Sequence, residues 1–218
     1  MKKFAVYFVM VCCLSLLFSS CKKQEFLDEY VEELRSNCFV NIDGDISLKA
    51  NYGFSKSDKA NPDLKVYTLT FMLLDPVQEN ITYSITLNHN DKEYVENFKL
   101  NPIKHNLCAT FNIDGFSKNE FSIILSFGSE NRTIKMQSSL PKDTLSPSNA
   151  LKILQKQQSQ LLSSYYDQNG NFSATIILRV LIKDQKPYWY VGLKKQDSLK
   201  ALLIDGINGN LLAVRDVF

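Results

Sequence analysis

Between Val66 and Phe127 the sequence repeats with a period of two. Tyr67, Leu69, Phe71 and Leu73 alternate with Val66, Thr68, Thr70 and Met72. Ile81, Tyr83, Ile85 and Leu87 alternate with Thr82, Ser84 and Thr86; Leu107, Ala109, Phe111 and Ile113 with Thr110 and Asn112; Phe121, Ile123, Leu125 and Phe127 with Ser122, Ile124 and Ser126. Successive side chains of a strand point to opposite faces, so each run has one packed face and one wetter face. Turn signals separate the runs: Asp43-Gly44, Asn51-Tyr52-Gly53, Asn61-Pro62-Asp63, Asn88-His89-Asn90-Asp91, Asp114-Gly115 and Gly128-Ser129-Glu130-Asn131. Weaker strands near 38–42, 45–51, 93–99 and 132–138 bring the number to seven or eight. Short strands at this cadence over about 100 residues predict a β-sandwich across residues 38–140.

After Pro141-Lys142-Asp143-Thr144-Leu145-Ser146-Pro147, a linker over 141–147, the period changes. Leu151, Leu154, Gln158, Leu161 and Tyr165 fall at helical spacing, with Ser146 or Ser148 as cap and Pro147 in the first turn. Asp167-Gln168-Asn169-Gly170-Asn171 ends the helix. Strands follow over 172–183, 188–194, 199–204 and 210–217, with turns at Asp184–Pro187 and Asp205–Gly209. Residues 148–218 thus read as a small α+β domain, a helix on an antiparallel sheet. The expected fold is mainly β, a sandwich followed by this smaller unit.

The amino terminus has the layout of a secretory signal peptide over residues 1–20: Lys2 and Lys3, an apolar run from Phe4 to Phe18, then small residues. The run is shorter than the roughly 20 apolar residues of a membrane span. Leu17-Phe18-Ser19-Ser20-Cys21 resembles the lipobox of bacterial lipoproteins, with Phe18 where that family more often carries Leu, Val or Ile. The resemblance implies cleavage before Cys21 and a diacylglycerol on its thiol. It further implies an extracytoplasmic location, on the outer membrane or the cell surface. Two acyl chains on one residue suffice for stable anchoring. Residues 21–37 read as a tether and a short amphipathic helix, with Phe26 or Leu27, Tyr30 and Leu34 on one face. The acidic residues opposite have a second reading as a surface-export signal.

Without Lys2 and Lys3 the 25 Lys and Arg fall to 23, against 23 Asp and Glu. No basic footprint for nucleic acid is present. Of 5 cysteines, Cys12 and Cys13 leave with the signal peptide and Cys21 is lipidated, which leaves Cys38 and Cys108. Outside the cytoplasm a disulfide between them is allowed; the other reading is two separate buried thiols. Two Cys do not make a zinc site, and the two His are not at ligand spacing. His89 and His105 read as solvated loop residues. Asp43-Gly44-Asp45 and Asp167–Asn171 lack the ligand spacing of calcium loops and read as turns. No motif supports catalysis, and no cofactor is implied.

The sandwich plan resembles the immunoglobulin-like modules of bacterial surface proteins, a likeness of architecture that names no binding residue. The carboxy-terminal order resembles the PepSY family and its relatives, small modules of secreted-peptidase propeptides and bacterial lipoproteins. That likeness rests on the helix Asn149–Tyr165, on Pro187-Tyr188-Trp189-Tyr190-Val191, and on Leu203–Leu212 with its strand, Asp, tight Gly turn and returning apolar strand. It implies a role in restraining or assisting a peptidase. The expected function is a membrane-anchored, non-enzymatic module that binds an envelope protein or peptide; the alternative is a structural envelope component. Tyr188, Trp189 and Tyr190 are the candidate partner-binding residues, although alternation requires at least one ring to face the core.

Overall fold

The computed structural model describes residues 26–42, 46–58, 61–74, 81–102 and 105–217. Cys21, residues 1–20 of the expected signal peptide, and Asp43-Gly44-Asp45 lie outside them. The described chain is mainly β. A single turn of 3-10 helix, Leu27–Tyr30, leads into β1 (Val31–Asn41), β2 (Leu48–Asp58), β3 (Asn61–Leu73), β4 (Tyr83–His89), β5 (Lys92–Asn97), β6 (Lys99–Asn101), β7 (Asn106–Asn112), β8 (Glu120–Phe127) and β9 (Glu130–Ser138). Two helices follow, α1 (Pro147–Gln157) and α2 (Ser159–Ser163), and then β10 (Thr175–Lys183), β11 (Lys186–Lys195), β12 (Ser198–Asp205) and β13 (Leu211–Val217).

All 13 strands join one hydrogen-bonded sheet. Its long path runs β13-β12-β11-β10-β1-β2-β3-β7-β6, and β9-β8-β4-β5 branches from β1. Every pairing is antiparallel except that of β1 with β10. Two apolar clusters hold it together. Phe39, Leu69, Phe71, Ile85, Leu125 and Met136 lie between β1-β2-β3-β7 and the branch. Leu151, Leu154, Ile176, Leu178, Trp189 and Leu202 lie between α1 and β10-β11-β12. Tyr67 packs against both clusters, which therefore cover the same side of the long path. Fully burying one Leu- or Phe-sized side chain is worth roughly 1.5–3 kcal/mol.

The alternating runs become β3, β4, β7 and β8, with buried residues at every second position. The helix begins as the sequence predicts. Ser146 is the N-cap and its Oγ accepts from the Asn149 N–H at 3.2 Å, with Pro147 at the first position. It then breaks at Gln158 (φ −117°, ψ 32°), where α1 gives way to α2. The apolar stripe has an amide at that position, which gains nothing from burial.

Three expectations change. Of the tether and short helix expected over 21–37, the described residues from 26 onward form a single 3-10 turn followed by strand: β1 starts at Val31 and has β2 on one edge and β10 on the other. Tertiary pairing on both edges outweighs the helical tendency of a Glu-rich segment. Asn51-Tyr52-Gly53 is the middle of β2 rather than a turn. A Cβ on Gly53 would stand 1.7 Å from the Leu34 carbonyl oxygen, so the glycine serves a close approach of β1, beside a bulge between Arg35 and Asn37. Asn61-Pro62-Asp63 likewise opens β3. The stretch 141–147 is built into the fold. The Leu145 N–H donates to Gly206 O at 2.7 Å, and the Leu145 carbonyl accepts the Trp189 indole N–H at 3.1 Å.

Candidate functional site

Among the described residues, the side of the long path opposite both cores carries no helix and no second layer. Alternation places Glu33 and Arg35 of β1 there, with Arg179 of β10 and Tyr190 of β11 beside them. β1 and β10 run parallel, and Arg35 lies opposite Arg179 in register. Arg179 grips the Glu33 carboxylate with two bonds, Nε to Oε1 at 2.8 Å and Nη2 to Oε2 at 2.7 Å, while Arg35 Nε donates to Oε1 at 2.9 Å. Planar two-point contacts of this kind are among the stronger hydrogen bonds of proteins. Burial acts to raise the Glu33 pKa, but the hydrogen bond and charge of Arg179, with those of Arg35, outweigh it and hold the carboxyl below its ordinary value. The Arg179 guanidinium lies 6.0 Å from the centre of the Tyr190 ring.

Two hollows flank this cluster and share Arg35, Asn51 and Met72. One, of about 400 Å³, has polar walls from Thr68, Thr70 and Thr110. The other, of about 300 Å³, lies where β9 takes over from β10 along β1. Sequence reading missed the whole cluster. Glu33 and Arg35 share a face only in a strand, and the segment reads as a helix.

Trp189 is buried at 1% exposure and cannot serve as a partner-binding residue. Its ring is the largest fully buried side chain, in the core beneath α1. Tyr188 and Tyr190 fall on the other face, half-buried. The candidate cluster is thus divided by the pleat of β11.

Cys38 and Cys108 are free thiols. Cys38 is on β1 and Cys108 on β7, with β2 and β3 between them. Three strand spacings amount to roughly 14 Å, and a disulfide needs Cα atoms within about 7 Å. Cys38 instead donates from Sγ to Val180 O at 3.7 Å. Burial pushes its pKa up to about 11, so the thiol stays protonated at neutral pH and is no nucleophile.

His89 is not a solvated loop residue. It ends β4, is 5% exposed, and rests against Phe116 with ring centres 5.1 Å apart. Neither ring nitrogen has a hydrogen-bond partner. Burial, with the charge of Lys118, holds its pKa below the usual value. His105 is exposed. Asp167 caps its own turn, accepting the Asn169 and Asn171 N–H groups at 2.8 Å each on Oδ1. Among the described residues, no three His, Cys, Asp or Glu side chains gather as a metal site. No described helix is long and apolar enough to cross a membrane.

The outer edge of β13 is the other distinctive surface. Among the described residues β13 pairs with β12 alone, and Leu212, Val214 and Val217 on it are 50%, 43% and 41% exposed. No family model, curated protein or solved structure matches the chain.

Proposed function

We propose that this protein is a lipoprotein anchored through Cys21 to a bacterial membrane, and that it works outside the cytoplasm as a non-enzymatic module binding a protein or peptide. The observation that carries the binding reading is the outer edge of β13, which has no strand partner among the described residues. Proteins commonly blunt such an edge with Lys or Pro; β13 has neither, and Leu212, Val214 and Val217 are exposed along it beside Arg215 and Asp216. An extended partner segment adds there as a further strand: main-chain hydrogen bonds supply affinity and alternate side chains supply selectivity. The PepSY resemblance makes an envelope peptidase, restrained or assisted, the first partner to look for. In this reading residues 38–140 form the immunoglobulin-like sandwich nearer the anchor, and residues 148–218 the helix-on-sheet unit that meets the partner.

The test places a photo-crosslinking side chain at Val214 of the full chain in its native envelope, with Lys135 on β9 as control. A discrete adduct from Val214, absent from Lys135 and lost when Leu212 is also changed to Pro, supports the reading. Equal products from both positions, or none from Val214, refute it. Cys21→Ala separately tests the anchor: acyl labelling must disappear, and labelling that persists removes the lipoprotein assignment.

A further inference from the structure

Along one edge β1 changes partners. Val31–Arg35 pairs with Ile176–Arg179 of β10, and Phe39–Asn41 pairs with Met136–Ser138 of β9. Ser36–Cys38 has no ladder partner in either strand, although Cys38 O accepts the Ser139 N–H at 2.9 Å and Asn37 Oδ1 accepts the Ser138 hydroxyl at 2.7 Å, so the sheet forks there. The hollow of about 300 Å³ lies in that fork. Arg35, Lys49 and Arg179 line it, and among the described residues no Asp or Glu does. Glu33 neutralises one of the three positive charges from the neighbouring side, which leaves the fork with an excess of two. The rest of the wall is mostly apolar, with Cys38, Met72, Leu181 and Ile182 in it, and Asn51 and Ser139 add two polar side chains. Leu181, on the strand face of β10 that also carries Arg179, is 44% exposed.

We infer that this fork binds a carboxylate carrying a short apolar group, the chemistry shared by a peptide C-terminus and an N-acyl amino acid. The cations and the apolar wall are adjacent, so the ligand must hold its charge and its apolar group only a few bonds apart. Arginine's planar donors match a carboxylate in two-point fashion, as Arg179 already shows with Glu33. Residue 181 supplies the apolar contact, and Lys49 at the rim draws the anion in. The site lies on β1, β2 and β10, three strands from the edge of β13, and does not depend on that edge binding anything.

Backbone amide shifts of Cys38, Asn51 and Leu181 in the purified full chain provide the readout. The probes are N-acetyl-leucine, the peptide Ala-Ala-Ala-Leu with a free carboxylate, the same peptide as its amide, and inorganic phosphate. The expected result is saturable shifts from a free carboxylate and none from the amide. Lys49→Gln should weaken binding about fivefold and Arg35→Gln about tenfold. Lys49 is exposed and its replacement leaves the fold intact, so the proposal stays testable if Arg35→Gln fails to fold. Response to the peptide but not to N-acetyl-leucine assigns a peptide C-terminus; response to both assigns a small acid. Equal binding of amide or phosphate, silence with every probe, or a Lys49→Gln variant that binds as the parent does overturns the proposal.

Discussion

Gly53→Ala tests the packing of β1 on β2 directly. The added Cβ would lie 1.7 Å from Leu34 O, 2.7 Å from Leu34 C and 2.8 Å from Arg35 Cα, all backbone atoms. Ordinary contacts begin near 3.5 Å, so β1 must withdraw by more than about 1 Å. That movement disrupts the Arg35–Gly53 register and costs about two ladder hydrogen bonds at about 1 kcal/mol each. Overpacking adds about 1–3 kcal/mol, for an expected loss of about 3–5 kcal/mol. In an unconstrained strand the same change stabilises by about 0.5–1 kcal/mol, so the sign itself is diagnostic. Gly115→Ala is the control: it has φ +69° with no atom near its missing Cβ, and should cost about 1 kcal/mol. Urea denaturation followed by fluorescence measures all three proteins, because Trp189 is the sole tryptophan and sits in the core that Phe54 also joins. With a slope of about 2 kcal/mol/M, the Gly53→Ala midpoint should fall by about 2 M. A Gly53→Ala protein within 1 kcal/mol of the parent would refute the close approach of β1 and the registry built on it.

Other consequences are quicker to check. His89 is held neutral with a folded pKa below its unfolded value, so its contribution is complete above about pH 6.5 and is lost as pH falls through the lower folded value. His89→Phe should flatten that step in midpoint against pH, and an unchanged acid profile would count against a buried neutral ring. Glu33→Gln leaves Arg179 and Arg35 without their anion and should cost about 1–2 kcal/mol at pH 7, allowing for partial solvent exposure. The Glu33 pKa is lowered in the fold, so its contribution is present above about pH 4.3 and is lost as pH falls through the lower folded value, where the gap between variant and parent must close. Trp189→Leu should destabilise by about 3 kcal/mol in a thermal melt followed by circular dichroism, and Tyr190→Phe by no more than about 0.5 kcal/mol. Comparable losses would mean that the two rings do not face opposite sides of β11. A reductant should leave the urea midpoint unchanged, and a fall would restore the Cys38–Cys108 bridge.

Alternation and turn chemistry are local, and the sequence carries them without help. The period-two runs that become β3, β4, β7 and β8, the Ser146 cap, and the hairpins closed by Asp184-Gln185 and Asp205–Gly209 were all legible from neighbouring residues, because one strand face or one turn fixes its own residue types. Only tertiary structure decided the role of residues 31–37. Their composition favours a helix, but an extended β1 satisfies backbone groups on β2 along one edge and on β10 and β9 along the other, and no single-segment pattern records partners 95 to 145 residues away. The same pairing joins the two halves of the chain into one sheet and holds Cys38 and Cys108 apart. It also places Glu33, Arg35 and Arg179 side by side, although 144 residues separate Arg35 from Arg179 in the chain. Sequence set which residues can be strands. The order in which those strands pair, a matter of long-range burial and hydrogen bonding, built the cluster of Glu33, Arg35 and Arg179.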